Sequence, residues 1–312
     1  MTFSLSTIRL DGAPTPVLTL SDGRIYRLGD IAPKALLGDP AGGLLTVFRN
    51  WEVTEPVLQA AIDDLADATP VPAPPRLDDW LTPLQYPNKV ICTGANYYDH
   101  VRGDGGHTDF SKEDNIPVFF LKPPTTTLVG QGRSVRYPTQ TEKFDYELEL
   151  AFVIGKRGRH IPIEQARDHI AGYTIALDLS ARDWQRHPKH LVRFDLFGGK
   201  VFDDSCPLGP GIVPARFVDD TNLQLRFSLN GDLRQDANTA DMIWPVPELI
   251  ARISEHTTLE PGDVVLTGTP AGVGLATGTW MHTGDHLHGE ITGLGSIDVH
   301  IVDDHTAPAP AT

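Results

Sequence analysis

Acidic and apolar residues alternate over residues 144–150, and an unbroken apolar run follows. Because successive side chains of a strand point to opposite faces, this pattern predicts a strand with Asp145, Glu147 and Glu149 on one side. Carboxylates that point the same way repel one another, so the face must be solvated or must bind a cation. Carboxylate oxygens suit Mg²⁺, Mn²⁺ or Ca²⁺ better than zinc. The pattern alone leaves both alternatives open, a charged edge strand in water and a metal site.

A second apolar segment, residues 172–177, also ends in polar side chains. Asp178 follows this segment directly, where a strand is expected to end and functional residues concentrate. Arg182 and Gln185 come shortly afterwards, and the planar guanidinium of an arginine suits the carboxylate of an anionic substrate. On its own, Asp178 fits a helix cap as well as a metal ligand.

Short strand-like segments separated by glycine and proline make up most of the chain. The pattern predicts a mixed-β fold with few helices, of which residues 246–254 form the clearest amphipathic one. Near the N-terminus, two short strands that flank Ser21-Asp22-Gly23 are followed by a helix at residues 55–66. The strands expected later in the chain are residues 89–93, 118–121, 146–154, 223–229, 263–266 and 297–302.

Proline-rich stretches divide the chain into three parts. Residues 68–75 contain four prolines, which cannot continue the preceding helix. We therefore expect a small N-terminal α+β domain at residues 1–78 and a catalytic domain at residues 79–302. Residues 303–312, in which proline and alanine alternate, are expected to form a flexible tail.

The chain is acidic: 26 of its 312 residues are basic and 41 are acidic, which gives a formal net charge of −15. This charge argues against binding to nucleic acid or to anionic membrane surfaces. Cys92 and Cys206 are too few for a disulfide framework and are expected to be reduced core thiols. No apolar run is long enough for a membrane span, and no signal-peptide pattern is present. These features predict a cytoplasmic protein.

Eight motifs occur in a fixed order between residues 88 and 302, and in these motifs the chain resembles the fumarylacetoacetate hydrolase family. Any one of them would be a weak signal, whereas their common order is a specific one. The motifs are GANYYDH (94–100), FFLKPP (119–124), DYELELAFVIG (145–155), GYTIALDLSARDWQ (172–185), GKVFD (199–203), PLGP (207–210), LNG (229–231) and PGDVVLTGTPAGVG (261–274).

The resemblance implies a fumarylacetoacetase-like β-sandwich roll with a small N-terminal α+β domain. It also implies a homodimer and a divalent metal, with Mg²⁺ the first expectation and Mn²⁺ or Ca²⁺ the alternatives. The implied metal ligands are Glu147, Glu149 and Asp178, and the implied substrate-binding residues are Arg182, Gln185 and Thr269.

The resemblance further implies that His100 is the catalytic histidine and that Lys200 lies beside developing negative charge. One position departs from the family pattern. Many members have a glutamate three residues after the histidine, where it pairs with the imidazole, and this chain has Gly103 instead. Asp104 is adjacent and is expected to take over the role, with Glu113 further along the same glycine-rich loop as the alternative.

These residues together predict an enzyme that acts on small oxo or diketo acids. A hard cation held by carboxylates can chelate two substrate oxygens and stabilise an enolate. If His100 activates water, the reaction is hydrolysis of a C–C bond in a diketo or 2-oxo acid, as in the catabolism of ring-cleavage products. The alternative is an isomerase, hydratase or decarboxylase acting on an unsaturated 2-hydroxy or 2-oxo dioate, because the same histidine would then move a proton along the enol.

A less favoured alternative places a metal elsewhere. Strand alternation puts His286, His288 and Glu290 on one face, a spacing that could bind a transition metal as cupins do in metal oxidoreductases. A solvated hairpin strand explains the same spacing. The remaining alternative is a non-enzymatic binding protein in which the acidic residues merely form a solvated face.

Overall fold

The computed structural model describes residues 2–33, 42–65, 68–72 and 76–304. Within these ranges the chain is rich in strands and has few helices, as the sequence pattern predicts. The α-helices are α1 (Leu28–Ile31), α2 (Gly43–Arg49), α3 (Trp51–Asp63), α4 (Arg182–Gln185), α5 (Leu196–Lys200), α6 (Val246–His256) and α7 (Gly274–Thr277). No helix of the described ranges has both the length and the apolar character that crossing a membrane requires.

The largest sheet of the described residues has eleven strands. Its main path runs β3-β2-β1-β13-β11-β10-β16-β5-β6, with β4 beside β1 and β7 beside β13. These strands are β1 (Phe3–Leu10), β2 (Ala13–Leu20), β3 (Ile25–Arg27), β4 (Trp80–Leu81), β5 (Val90–Gly94), β6 (Val118–Lys122), β7 (Leu128–Val129), β10 (Leu148–Ile154), β11 (Ile170–Leu177), β13 (Cys206–Pro214) and β16 (Val264–Leu266).

A five-stranded sheet and a short two-stranded pair complete the β-structure of the described residues. The five-stranded sheet has the order β15-β14-β17-β18-β8, and the pair consists of β9 and β12. These strands are β8 (Ser134–Arg136), β9 (Phe144–Asp145), β12 (Ser180–Ala181), β14 (Gln224–Leu229), β15 (Asp232–Asn238), β17 (His286–Ile291) and β18 (Gly295–Val302).

Strand β10 lies between two hydrophobic cores, because its successive side chains point to opposite faces of the sheet. Leu148, Leu150 and the apolar residues that alternate with them belong to the core shared with the five-stranded sheet. Ala151 and Val153 face the other way, into a core shared with the N-terminal strands and helices. Glu149 has the parity of this second set, so it lies on the face away from the five-stranded sheet.

The N-terminal segment joins the large sheet edge to edge. Leu5 of β1 lies opposite Ile212 of β13, and apolar side chains of β1 and β2 share a core with Ala176 of β11. Trp51 and Leu58 of α3 pack into the same core. The pairing makes β1 and β2 extensions of the central sheet, and the domain boundary at residue 78 stays a prediction.

Most predicted elements near the site are present, with shifted ends. Helix α3 covers Trp51–Asp63 and helix α6 covers Val246–His256, close to their predicted positions. The strand predicted at residues 146–154 begins at Leu148, because β9 ends at Asp145 and pairs with β12. Residues 305–312 of the predicted tail and residues 73–75 of the proline-rich stretch lie outside the described ranges.

Candidate active site

Three buried carboxylates lie together where two neighbouring strands end. Glu147 directly precedes β10, Glu149 is its second residue, and Asp178 directly follows β11. Because β10 and β11 are antiparallel and Leu148 lies opposite Leu177, the start of one strand meets the end of the other. One oxygen from each of the three carboxylates lies within 4.8 Å of the other two. We call these three residues the acidic triad.

The ammonium of Lys200 bridges two members of the triad. It donates to Oε2 of Glu147 and to Oδ2 of Asp178, each at 2.6 Å. Oε1 of Glu147 accepts a hydrogen bond from Arg182. The buried Lys122 ammonium lies 2.9 Å from Oδ1 of Asp178. Four of the six triad oxygens therefore contact a cationic side chain.

Glu149 is the member of the triad that no cationic side chain contacts in the described residues. Its Oε2 accepts the backbone N–H of Gly268 at 2.6 Å, and its Oε1 is buried without a hydrogen-bond partner among the described residues. A buried carboxylate oxygen without a partner is costly, and a cation would satisfy it. The donor set consists of carboxylate oxygens alone, which fits a hard divalent ion such as Mg²⁺ or Mn²⁺.

Burial and charge move the pKa values of the triad in opposite directions. Burial raises the pKa of Glu149 well above its usual range, and the negative charges of Asp178 and Glu147 add to this effect. Burial acts the same way on Glu147, but Lys200 and Arg182 outweigh it and lower the pKa of Glu147 to about 2. Burial disfavours the charged form of Lys200, yet Asp178 and Glu147 raise its pKa above the usual value. In the metal-free protein, the raised pKa of Glu149 favours its protonated form.

Asp145 does not join the triad, although strand alternation predicts it on the same face. Its carboxylate accepts the Nε–H of Arg182 at 2.7 Å and the backbone N–H groups of Gly274 and Leu275 at 2.6 and 3.0 Å. The chain leaves the β-ladder between β9 and β10, so the period of two is broken before Glu147. Asp145 instead fixes the start of α7 and the guanidinium of Arg182.

The predicted catalytic histidine lies in a π-helical turn, His100–Asp104, next to the site. Its Nδ1 is 3.0 Å from Oδ2 of Asp104, and the same oxygen accepts the backbone N–H of Gly272 at 3.0 Å. Glu113 is exposed and accepts from the hydroxyl of Ser111 instead. The structure thus places Asp104, and not Glu113, beside the imidazole. Gly272 belongs to the same loop as Gly268, whose backbone N–H contacts Glu149, so Asp104 ties the histidine turn to a loop that borders the triad.

The three predicted substrate-binding side chains are held by protein partners. Oε1 of Gln185 accepts from Arg182 at 3.3 Å. The hydroxyl of Thr269 donates to the carbonyl of Leu148 at 3.0 Å and accepts from Gln235 at 2.9 Å. The contacts of Arg182 and Thr269 with residues 145–148 place both side chains beside the triad, and their contact with substrate stays a prediction.

The structure adds two residues that the sequence reasoning missed, Lys122 and Gln235. Gln235 accepts the backbone N–H of Leu148 and donates to Thr269, so it links the start of β10 to the loop after β16. Gln235 lies in a strand with ordinary alternation of polar and apolar residues, so nothing in the sequence marks it as a site residue. Lys122 ends the otherwise apolar strand β6 and stands in the FFLKPP motif, and these two features are its signals in the sequence.

The histidines considered as a cupin-like site lie elsewhere, on the five-stranded sheet. Nε2 of His286 and Nδ1 of His288 both contact the same oxygen of Asp298, at 3.0 and 2.8 Å. Glu290 is exposed on the same strand. Among the residues that the structure describes, only the acidic triad has three ligand atoms within 4.8 Å of one another. The geometry favours the carboxylates as the metal site.

Glu149→Gln should remove the negative charge that has no cationic partner while keeping the side chain's shape. Loss of an outer-shell partner of a metal typically costs 10–100-fold in affinity, so loss of this candidate ligand should weaken Mn²⁺ binding by about 100-fold or more. Isothermal titration calorimetry measures the affinity. Asp220→Asn is the matched control, because Asp220 is also buried but pairs with Arg167. Equal Mn²⁺ affinity in wild-type protein and Glu149→Gln would contradict the assignment.

Metal binding should release protons, because the pKa of Glu149 is raised in the metal-free protein. A cation competes with that proton, so apparent Mn²⁺ affinity should rise with pH until the pH exceeds the raised pKa and then level off. Titrations at one pH in two buffers of different ionisation enthalpy measure the protons released. A binding enthalpy that is independent of the buffer would show that Glu149 is already ionised.

Comparison with known proteins supports the assignment of this site to a family. Residues 89–302 match the family described as fumarylacetoacetate (FAA) hydrolase C-terminal. Oxaloacetate tautomerase fahd2, mitochondrial, from Xenopus laevis is 42% identical over 229 residues, which are 71% of this chain and 68% of that protein.

Solved structures agree with this match. The fumarylacetoacetate hydrolase of Exiguobacterium antarcticum is 30% identical, with a TM-score of 0.80 over 96% of this chain and 99% of that chain. This likeness confirms the predicted fumarylacetoacetase-like fold. Fumarylpyruvate hydrolase from Pseudomonas aeruginosa, in complex with Mn²⁺ and pyruvate, is 36% identical, with a TM-score of 0.62 over 70% of this chain and 90% of that chain. The chain belongs to the fumarylacetoacetate hydrolase family of enzymes.

Proposed function

We propose that this chain is a metal-dependent tautomerase of a small 2-oxo dicarboxylate of the oxaloacetate type. The observation that carries the proposal is the acidic triad, in which Oε1 of Glu149 is buried without a partner and Lys200 lies between the other two carboxylates. A hard cation beside an ammonium suits a substrate that carries a carboxylate next to a carbonyl oxygen. The identity of 42% to an oxaloacetate tautomerase supports the choice among the reactions that such a site can perform.

Glu147, Glu149 and Asp178 would hold the divalent ion, with Mg²⁺ proposed as the ion in the cell. When bound, the ion would supply Lewis-acid polarisation of the substrate's carbonyl group. Arg182, with its guanidinium already placed by Asp145, is proposed to help neutralise a substrate carboxylate. Gln185, which accepts from Arg182, and Thr269, which accepts from Gln235, are proposed to hold the substrate's remaining oxygens.

His100 is proposed to move the proton. An ionised Asp104 can only accept, so Nδ1 of His100 carries the hydrogen and Nε2 presents a lone pair. Nε2 would take a proton from the carbon next to the substrate's carbonyl group and deliver it to the enolate oxygen, which gives the enol. In the reverse direction it would take the hydroxyl proton of the enol and deliver it to that carbon. The ammonium of Lys200 would offset the negative charge that develops on the substrate oxygen.

C–C bond hydrolysis of a diketo or 2-oxo acid is the second candidate function. The pair formed by His100 and Asp104 favours it, because an imidazole held by a carboxylate can also deprotonate water. The likeness to fumarylpyruvate hydrolase, at 36% identity, supports the same reaction. Both candidates share the enolate and differ in whether a water attacks the carbonyl group.

We also propose that the chain forms a homodimer. Strand β6 is the last strand of the large sheet, and Val118 and Leu121 on it are 49% and 57% exposed. The neighbouring Ile116 is 75% exposed. An apolar edge strand of this kind is a liability unless another surface covers it, and a second copy of the chain would do so.

A product profile tests the two candidates directly. The protein, loaded with Mg²⁺, is offered enol-oxaloacetate and a panel of acylpyruvates, and the products are followed by ultraviolet absorbance and chromatography. The tautomerase proposal expects rapid loss of the enol absorbance with all carbon atoms retained, and chelation of the metal should abolish it. Cleavage of an acylpyruvate to pyruvate and an acid, without accelerated tautomerisation, would establish the hydrolase instead.

Substitutions at the histidine pair test the catalytic assignment. His100→Ala should lower kcat by roughly 10²–10⁴-fold, as loss of a general base does, while Mn²⁺ affinity persists because the imidazole is not a ligand. Asp104→Asn should lower kcat by at least roughly tenfold, since the imidazole loses its orienting carboxylate. Glu113→Gln is the matched control on the same loop and should keep wild-type kcat. A damaging Glu113→Gln combined with a silent Asp104→Asn would transfer the role to Glu113.

A further inference from the structure

Lys122 is a fully buried lysine at the end of β6, and its side chain has no exposed surface. Its ammonium contacts five oxygens from three segments of the chain. They are Oδ1 of Asp178 at 2.9 Å, the carbonyl of Leu179 at 3.3 Å, the carbonyl of Lys200 at 2.6 Å, and the carbonyl and hydroxyl of Ser205, each at 3.0 Å. Hydrogen bonds go to the four oxygens of Leu179, Lys200 and Ser205. The contact with Oδ1 of Asp178 is an ion pair, because that oxygen accepts no hydrogen bond among the described residues.

The contacts join the parts of the chain that build the acidic triad. Asp178 and Leu179 follow β11, Lys200 is the last residue of α5, and Ser205 directly precedes β13. The hydroxyl of Ser205 also donates to the carbonyl of Lys200 at 3.1 Å. The end of α5 is therefore fixed to the end of β11 through one charged group.

Asp178 consequently has a cation on each side. Lys122 lies at Oδ1 and Lys200 lies at Oδ2, so the carboxylate cannot rotate without losing one of them. The Lys122 ammonium is surrounded by protein oxygens, whereas the Lys200 ammonium bridges two triad carboxylates. If Lys200 turns toward substrate, Asp178 still has the contact with Lys122.

We propose that Lys122 is a positioning residue for the metal centre. It keeps Oδ2 of Asp178 directed into the triad and holds the backbone of Lys200, so that the Lys200 ammonium lies between Glu147 and Asp178. The inference rests on the proposed function in one respect, that the triad binds a divalent ion. It assigns Lys122 no contact with substrate.

The test is Lys122→Met, which keeps most of the side chain's length and removes its charge. We expect Mn²⁺ affinity, measured by calorimetry, to fall by roughly 10–100-fold, as for other outer-shell partners of a metal. The electron paramagnetic resonance spectrum of bound Mn²⁺ should change as well, because Asp178 loses the ion pair at Oδ1 that helps to fix its orientation. The kcat should fall more than KM rises.

Lys89→Met is the matched control. Lys89 also pairs with a buried aspartate, Asp263, at 2.9 Å, and with Glu260 at 2.8 Å, but none of these residues contacts the triad. The control should lower the melting temperature while Mn²⁺ affinity and the Mn²⁺ spectrum stay as in wild-type protein. A general loss of packing would affect both lysine variants alike and would overturn the proposal.

Wild-type Mn²⁺ affinity and spectrum in a folded Lys122→Met protein would also overturn it. If Lys122→Met does not fold, Ser205→Ala decides the question, because it removes one acceptor of Lys122 and the hydroxyl bond to Lys200. An altered Mn²⁺ spectrum in Ser205→Ala would support the proposal, and an unchanged one would overturn it. Failure of the wild-type protein to bind Mn²⁺ would instead overturn the metal-dependent function.

Discussion

Compensation of buried charge is the constraint on which the rest of the site depends. Four carboxylates lie close together and are almost fully buried. An isolated ionised carboxylate is very costly in such surroundings. Three cationic side chains offset them, two of which are buried and one of which is part-buried. The carboxylates are Asp145, Glu147, Glu149 and Asp178, and the cations are Lys122, Arg182 and Lys200. The carboxylates outnumber the cationic side chains by one. Glu149 is the carboxylate that lacks a cationic partner among the described residues.

The large sheet makes this density of charge possible because the strands that carry the charged residues are firmly held in it. Strands β10 and β11 are buried along their full length and carry apolar side chains into two separate cores. Burial of this much apolar surface fixes the strand ends, and the ends carry Glu149 and Asp178. The ion pairs then select the orientation of side chains whose backbone the cores have already placed.

The sequence predicted the parts of this arrangement that follow from local pattern. The alternation before Gly155 and the polar end of the 172–177 segment pointed to the triad, and the motif order pointed to the fold. It did not reveal that the strand is interrupted after Asp145, whose carboxylate accepts from the backbone amides of Gly274 and Leu275, far along the chain. The partners of Lys122 are likewise distant, up to Ser205, and no local period encodes them.

Asp104 has a consequence that reaches beyond the orientation of one ring. A single oxygen of its carboxylate accepts from both Nδ1 of His100 and the backbone N–H of Gly272. The histidine and the glycine belong to loops that follow β5 and β16, two neighbouring parallel strands. The carboxylate therefore connects the two loops, and it holds the imidazole of the proposed base while both loops are in place. Under the proposed function, catalytic competence would depend on contact between the two loops rather than on either loop alone.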